Sequence, residues 1–463
     1  MHRFHYPARQ SGTHLRWSLD QILDGVGKGI RRAGEVAAGL GGRLDSLGVD
    51  SWAVDYGLVD SGGRLLEDPV CYRDPRTVGV MDAVFSLLPR QDIFARTGIQ
   101  FLPLNTLYQL FAQVREGLPA GAARLLLIPD LCHQFLCGSM ATERTNASTT
   151  QLMGADGTWD DVIFEKTGLP RELMPEIVAP GAGLGRLRSS LESALGVSAV
   201  RVLAPATHDT ASAVAGTPLE PGWAYVSSGT WSLVGVERER LLLGEDVARA
   251  NFTNEGGVGQ TVRFLKNVMG LWILECCRRE WDSETARDHD ALLAEVATIE
   301  PFVGFVFPDD PRFFNPPSMT AELEAALAET GQAVPGDRAR LAKVVLDSLA
   351  LRYASVVETI ERLTGQRVPG VHIVGGGSRN EYLNQATADA TGRPVLAGPA
   401  EATAAGNVLV QAWASGEVDS IAEGRRLIAR SVGPRLYQPG RAQPWAEAAR
   451  RYREIESARP DAH

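Results

Sequence analysis

The sequence predicts an α/β fold of two domains with a cleft between them. The chain has 463 residues, and a single hydrophobic core usually stops growing near roughly 250–300 residues. Short β-branched runs alternate with helical patterns, which indicates parallel strands joined by crossover helices. A stretch rich in proline and glycine, 216–222, separates two such regions and is the expected boundary. We therefore predict domains over residues 1–218 and 219–463, with ligands in the cleft between them.

In the first domain the strand and helix patterns are short. Residues 44–49 and Tyr56–Val59 are predicted strands, and the turn residues 60–63 follow. Two nearby β runs and a turn favour a hairpin or meander. Further along, residues 201–204 are typical of a strand and residues 211–216 of a helix.

The second domain has the clearest pattern of alternation. Strand residues resume at 223–226, and Asp337 can cap a helix whose apolar residues recur at helical spacing until Gly365. The next segments read in order as a strand at 371–374, three glycines, a helix that ends at Gly392, a strand at 394–397 and a helix opened by 398–403.

Composition and charge exclude several classes of protein. The 44% apolar and 22% charged residues are globular values, which exclude a disordered, collagen-like or disulfide-scaffold chain. Subtracting 56 acidic from 46 basic residues gives −10, so we expect no nucleic-acid or anionic-membrane partner. No apolar run approaches the roughly 20 residues of a membrane span, and the first residues lack the apolar middle of a secretory signal.

The cysteines and histidines predict neither disulfides nor a metal site. Five cysteines form an odd, sparse set without a spacing pattern, which favours a reducing, cytoplasmic location. His2 and His5, and Cys132 and His133 with Cys137, are too isolated to indicate metal ligands.

Asp209 is the strongest candidate for a catalytic carboxylate. It follows a short apolar strand and opens a helix, so Thr207, Asp209 or Thr210 could simply cap that helix. Alternatively, Asp209 is a general base at the carboxyl end of a strand beside the cleft, where α/β proteins bind ligands. The local sequence favours neither interpretation.

Two glycine-containing turns could bind phosphate or nucleotide. Residues 227–232 follow a strand and cluster small hydroxyl side chains around a glycine, so their N–H and hydroxyl groups could approach phosphate oxygens. Gly375, Gly376 and Gly377 follow an apolar strand and precede a helix, and backbone without Cβ atoms lets a nucleotide lie against it. Both stretches are also compatible with ordinary strand-ending turns.

Several separated stretches together resemble one family, the FGGY carbohydrate kinases. In chain order they are Asp50-Ser-Trp-Ala-Val-Asp55, Thr97-Gly-Ile-Gln-Phe-Leu-Pro-Leu-Asn-Thr-Leu-Tyr-Gln109, Thr145-Asn-Ala-Ser-Thr-Thr-Gln151, Thr207-His-Asp-Thr-Ala-Ser-Ala213, Ser227-Ser-Gly-Thr-Trp-Ser232, Asn254-Glu-Gly-Gly257, Leu265-Lys-Asn-Val-Met-Gly-Leu-Trp272 and His372-Ile-Val-Gly-Gly-Gly377. Any one of them could arise by chance, whereas all of them in one order over nearly the whole chain could hardly do so.

The resemblance implies two actin-like ATPase (ribonuclease H-like) domains around a central cleft. The first would bind the sugar and carry the base, and the second would bind the nucleotide. It implies phosphorylation of L-rhamnulose at its primary hydroxyl, with ATP as phosphoryl donor and Mg²⁺ on the phosphates. It is also compatible with another ketose or a polyol as substrate, and with a monomer or homodimer.

Site residues follow from the same resemblance. Asp209 matches the catalytic base, and His208 and Thr210 match sugar contacts. Ala53 occupies a sugar-contacting position where the family has glycine. The positions that match the ATP site are Thr230, Asn267, the turn of Gly375, Gly376 and Gly377, and Glu275, which stands where a nucleotide-contacting glutamine is usual.

One departure from the family pattern concerns the start of the chain. The family opens with a glycine- and serine-rich β-hairpin that holds ATP phosphates, whereas residues 1–4 align with a later strand. We therefore expect the first domain to lack this hairpin and to have fewer phosphate donors and an unpaired sheet edge. Either the true start lies upstream, which we favour, or the protein is a catalytically weakened sugar- or nucleotide-binding protein.

Overall fold

A computed structural model describes residues 2–281, 289–440 and 442–458. In this part of the chain the strands are β1 Arg9–Ser11, β2 His14–Arg16, β3 Ser46–Leu47, β4 Tyr56–Val59, β5 Arg124–Leu127, β6 Thr142–Glu143, β7 Ile177–Val178, β8 Gly183–Arg186, β9 Arg201–Leu203, β10 Ala224–Ser228, β11 Trp231–Arg238, β12 Thr253–Gly256, β13 Val262–Met269, β14 Val371–Val374, β15 Val395–Ala397 and β16 Arg435–Tyr437. We call the residues before β10 the first half and those from β10 onward the second half.

The same residues also form α-helices. They are α1 Leu19–Gly39, α2 Val80–Leu87, α3 Arg90–Thr97, α4 Thr106–Glu116, α5 Ile128–Cys137, α6 Arg144–Ala147, α7 Asp161–Thr167, α8 Ser189–Leu195, α9 Asp209–Ala215, α10 Glu245–Arg249, α11 Trp272–Glu280, α12 His289–Thr298, α13 Met319–Glu329, α14 Arg338–Thr364, α15 Glu381–Thr391, α16 Ala402–Ala414, α17 Ile421–Val432 and α18 Ala442–Ala458. Within the described ranges, none of these helices combines the length and apolar character needed to cross a membrane.

The second half is built on a seven-stranded sheet with the order β12-β13-β11-β10-β14-β15-β16. β14 pairs in parallel with β10 and with β15, and the other neighbours are antiparallel. Along the chain, helix α14 comes after the antiparallel strands and before β14. It forms part of the crossover connection that parallel pairing requires. The α/β prediction is therefore confirmed for this half.

Helix α14 begins and ends at the predicted residues. The Asp337 side chain accepts a hydrogen bond from Arg340 N, which satisfies one of the free N–H groups of the first turn. Gly365 ends the helix in the left-handed conformation, with φ of 67°. The apolar residues at helical spacing, such as Leu341, Leu349 and Ile360, are buried in the core of this half.

The strands of the first half form small sheets of two or three strands. The prediction that residues 44–49 and Tyr56–Val59 form a hairpin or meander is wrong, because β3 pairs in parallel with β9 and β4 pairs with β5. The segment between β3 and β4 instead runs beside the residues that come after β9, where Ser51 N donates to Thr207 O. The chain then turns at Val54, whose φ is 68°. Residues 2–8 lie outside the strands.

The two halves meet along the sides of a cleft. On one side α9 packs on α16 so closely that a Cβ at Gly406 would lie 1.7 Å from Ser212 O. On the same side Asn407 Nδ2 donates to Asp50 Oδ2. On the other side the buried Arg73 of the first half stacks on the Trp272 ring, 3.8 Å from its centroid.

Candidate active site

A cavity of about 480 Å³ lies between the halves and brings together most of the predicted site residues. Those that line it are Ala53, His208, Asp209, Thr210, Thr230, Asn267, Gly375 and Gly376. Gly377 and Glu275 are not among the lining residues. Segments far apart in the chain therefore meet at one site, as the cleft prediction requires.

The loop that carries Asp209 is held by hydrogen bonds to two neighbouring segments. Ser51 N donates to Thr207 O and Asp209 N donates to Ser51 O, each at 2.9 Å. The buried Glu143 accepts from Thr207 N at 2.8 Å and from Thr207 Oγ1 at 3.0 Å. Burial raises the pKa of Glu143, although these hydrogen bonds favour its charged form. The loop is thus fixed before any ligand binds.

The Asp209 side chain does not cap helix α9. Asp209 is the first residue of the helix, and its N-cap residue, His208, makes no side-chain capping bond. The carboxylate instead projects into the cavity with 43% of its side chain exposed. Oδ1 accepts from Thr210 Oγ1 at 3.2 Å, whereas the hydrogen bonds of the described residues include none to Oδ2. This geometry favours the base interpretation over the capping one, since one oxygen stays available to a ligand.

Arg263 and Glu255 form a buried ion pair on the side of His208 that faces away from Asp209. Arg263 Nη2 lies 3.0 Å from His208 Nδ1 and 3.0 Å from Glu255 Oε2, and neither Arg263 nor Glu255 exposes more than 4% of its side chain. Burial raises the pKa of Glu255, but the positive charge of the adjacent Arg263 acts in the opposite direction, and the net effect holds this pKa below its ordinary value. His208 Nε2 faces the other way and lies 3.5 Å from Asp209 Oδ1.

Backbone groups line the opposite end of the cavity. Gly375 has φ of 80°, and a Cβ there would lie 2.8 Å from Ser228 O, so this position requires glycine. A Cβ at Gly376 would meet no heavy atom within 4 Å, because that residue faces open space. Gly377 packs against Ser228 instead, with its Cβ position 2.0 Å from Ser228 Oγ. Thr230 lies in the β10–β11 turn beside them.

Asn267 and Glu275 lie in different surroundings from each other. Asn267 Nδ2 donates to Gln100 Oε1 at 3.0 Å. The Asn267 side chain also hydrogen-bonds to the Glu255 carboxyl, which places it at the end of the cavity that contains Glu255 and His208. Glu275 lies on α11 and pairs with Arg278 at 2.8 Å and with Arg279 at 3.5 Å. The structure therefore does not bring Glu275 together with the other predicted residues.

Aromatic side chains form an apolar wall beside Asp209. The rings of Trp17 and Trp52 lie 4.9 Å apart, and Tyr6 stacks on Trp52 at 5.8 Å. Both indole N–H groups donate to Asp55 Oδ2, at 2.7 and 3.0 Å. Burial raises the pKa of Asp55 to about 6 despite these bonds. The carboxylate orients the two rings, whose faces and edges suit the carbon side of a sugar.

Several residues of this site were not predicted from the sequence. Glu255 lies in the Asn254-Glu-Gly-Gly257 stretch that supported the resemblance, and Arg263 follows on the next strand. Thr253 also lines the cavity, and its buried Oγ1 has no hydrogen-bond partner in the described part of the chain. For Arg263 the available signal was a charged residue among apolar neighbours in its strand, whereas β12 is polar along most of its length and offered no such signal.

Comparison with known families identifies both halves. Residues 3–216 match the N-terminal domain of the FGGY family of carbohydrate kinases, and residues 224–415 match its C-terminal domain. Solved structures share the fold at low sequence identity. Gluconate kinase from Lactobacillus acidophilus superposes with a TM-score of 0.78 at 14% identity, covering 98% of this chain and 92% of that one. Glycerol kinase from Plasmodium falciparum gives 0.75 at 13% identity, covering 99% and 92%.

Curated relatives are much more similar in sequence. A rhamnulokinase of Bacteroides thetaiotaomicron is 39% identical over 97% of this chain and 92% of its own length. One from Pectobacterium carotovorum is 41% identical, over 98% and 90%, and one from Bacillus subtilis is 37% identical, over 95% and 90%. Together with the two domain matches and the shared cleft, this similarity over nearly the full length shows that the chain belongs to the FGGY family of carbohydrate kinases.

Proposed function

We propose that this protein transfers the γ-phosphoryl group of ATP to the primary hydroxyl of L-rhamnulose, giving L-rhamnulose 1-phosphate and ADP. The similarity to rhamnulokinases at 37–41% identity supports the choice of sugar. The observation that carries the chemistry is the Asp209 carboxylate, which projects into the cavity with one oxygen unengaged by the described residues. In this proposal residues 1–218 bind the sugar and supply the base, and residues 219–463 bind the nucleotide.

Asp209 acts as the general base in the transfer. Its Oδ2 takes the proton of the primary hydroxyl while the hydroxyl oxygen forms a bond to the γ-phosphorus. The bond from that phosphorus to the bridging oxygen breaks, and its electron pair leaves with ADP. His208, Thr210 and Ala53 contact the sugar around this oxygen. Since Asn267 lies at the His208 end, we assign it to the sugar rather than to ATP.

The backbone at the opposite end fits a nucleotide. Gly376 leaves room that a side chain would fill, and Thr230 places a hydroxyl beside it. Mg²⁺ bound with ATP would neutralise charge on the phosphates. Asp209 and Glu255 are the carboxylates among the described residues that line the cavity. We place this activity in the cytoplasm, in a monomer or homodimer.

The test is an assay of ADP release with ATP, Mg²⁺ and a panel of sugars. We expect turnover with L-rhamnulose to exceed that with other ketoses and polyols. A higher specificity constant for another ketose or a polyol would mean that the protein is a kinase of the same family with a different substrate. Normal sugar binding with ADP release at background for every sugar would instead indicate a non-catalytic sugar-binding protein.

A further inference from the structure

We propose that Arg263 is a positioning residue that fixes the protonation pattern of the His208 ring, so that His208 Nε2–H orients the carboxylate of Asp209. The inference rests on the proposed function of Asp209 as base. It assigns a role to a buried arginine of the second half that contacts a histidine of the first half.

The first step concerns His208 Nδ1. Arg263 Nη2 lies 3.0 Å from this atom with hydrogen-bond geometry, and a guanidinium group donates hydrogen bonds but cannot accept them. Nδ1 must therefore be the acceptor and carry no proton. Glu255 Oε2 is farther from Nδ1, at 3.4 Å, and this contact lacks hydrogen-bond geometry. A proton on Nδ1 would also point at the Arg263 N–H group.

The second step concerns the other nitrogen of the ring. A neutral imidazole without a proton on Nδ1 carries it on Nε2. Nε2 lies 3.5 Å from Asp209 Oδ1, a distance that a small movement on ligand binding shortens to a hydrogen bond. The opposite tautomer would turn a lone pair of Nε2 toward the carboxylate and repel it. Arg263 thus decides whether His208 attracts or repels the base.

The third step concerns the two oxygens of Asp209. Oδ1 receives Thr210 Oγ1–H at 3.2 Å and faces His208 Nε2–H. With Oδ1 held in this way, Oδ2 is directed toward the ligand and takes the proton. Glu255 balances the charge of Arg263, whose Nε also donates to Gly256 O at 2.9 Å. The arrangement keeps Arg263 aimed at Nδ1 without leaving an unbalanced buried charge.

The decisive experiment measures the tautomer directly. The full chain is labelled with ¹⁵N-histidine, and a long-range ¹H–¹⁵N correlation spectrum is recorded near pH 7.5. The His208 signals are identified among the 8 histidines by their loss in His208→Gln. We expect an unprotonated Nδ1 and a protonated Nε2. A protonated Nδ1 would overturn the proposal, and this result does not depend on whether the protein phosphorylates any sugar.

Kinetics then test the positioning role. The double variant Arg263→Gln/Glu255→Gln removes both buried charges together, so neither is left alone. We expect kcat to fall by about tenfold or more because the base is misplaced, with the sugar Kd nearly unchanged and the His208 spectrum showing a mixture of tautomers. Arg249→Gln, at an arginine with 75% of its side chain exposed, is the matched control and should behave as the native protein does. An unchanged kcat in the folded double variant would show that Arg263 has no positioning role. If the double variant does not fold, the His208 spectrum of the native protein alone decides whether Nδ1 is protonated.

Discussion

At the scale of single residues, Asp209 has surroundings that suit proton transfer. Its backbone N–H is bonded to Ser51 O, whereas its carboxylate is half exposed in the cavity. A rigid backbone with a side chain open to the ligand is what a general base needs, because the base must lie within about 3 Å of the hydroxyl it deprotonates. The backbone N–H of Asp209 thus helps to fix the loop, and the carboxylate is left free for proton transfer.

Asp209→Asn is expected to lower kcat by at least about a hundredfold. The amide keeps the shape of the carboxylate but cannot accept the proton, so sugar affinity measured by calorimetry should stay close to the native value. Asp246→Asn, at an aspartate with 71% of its side chain exposed, serves as the control. Near-native turnover of Asp209→Asn would remove Asp209 from the mechanism.

Sequence patterns could identify the loop of Asp209 but not what lies behind it. The residues Thr207 to Thr210 connect a strand to the first turn of a helix, and local patterns are sufficient to predict both. Arg263 and Glu255 reach His208 from strands more than 45 residues away, by the numbering of the chain. Their approach depends on how the halves pack, which no local periodicity encodes.

At the scale of elements, the glycine turn after β14 combines a conformational and a spatial requirement. We expect Gly375→Ala to reduce the free energy of unfolding by about 1–3 kcal/mol, because φ is 80° and the new methyl group would lie 2.8 Å from Ser228 O. The KM for ATP should also rise. Thermal unfolding and steady-state kinetics measure the two effects.

Gly376→Ala provides the matched comparison within the same turn. Its methyl group would enter open space, so unfolding should stay close to native while the KM for ATP rises if the nucleotide lies there. Equal unfolding temperatures for Gly375→Ala and Gly376→Ala would contradict the strain argument. An unchanged KM in both variants would contradict the proposed position of the nucleotide.

Helices and strands were predictable where their signals are local. The cap at Asp337, the apolar spacing of α14 and the stop at Gly365 are all contained in one stretch, and the structure confirms them. Strand partners in the first half were not predictable, because β3 pairs with a strand more than 150 residues later. A two-residue strand such as β3 carries too few side chains to specify its partner.

At the scale of the whole molecule, Asp50 joins the halves behind the cavity. Its carboxyl accepts from Asn407, and burial together with the nearby Asp209 raises its pKa to about 7, although Asn407 opposes that shift. The ordinary value is 3.8, so the folded protein binds this proton more tightly than the unfolded chain does. The resulting stabilisation is complete below pH 3.8 and is lost as the pH rises toward 7.

We therefore expect the difference in unfolding free energy between the native protein and Asp50→Asn to depend on pH. The native protein should lose stability relative to the variant as the pH rises from about 4 to about 7. Chemical denaturation of both proteins at several pH values measures this difference. Asp45→Asn, an exposed aspartate nearby with 64% of its side chain accessible, controls for general charge effects. A pH-independent difference would contradict the assigned cause.

The tight crossing of α9 and α16 limits how the cleft can open. Backbone meets backbone where Gly406 faces Ser212 and where Gly216 faces Ala402, so there is no layer of side chains that could deform as the halves shift. Sliding one helix along the other would force main-chain atoms into each other, whereas rotation about the crossing point leaves them apart. A rotation of the halves about this crossing would therefore move Asp209, which lies about one helical turn from Ser212, less than it moves residues farther along the cleft.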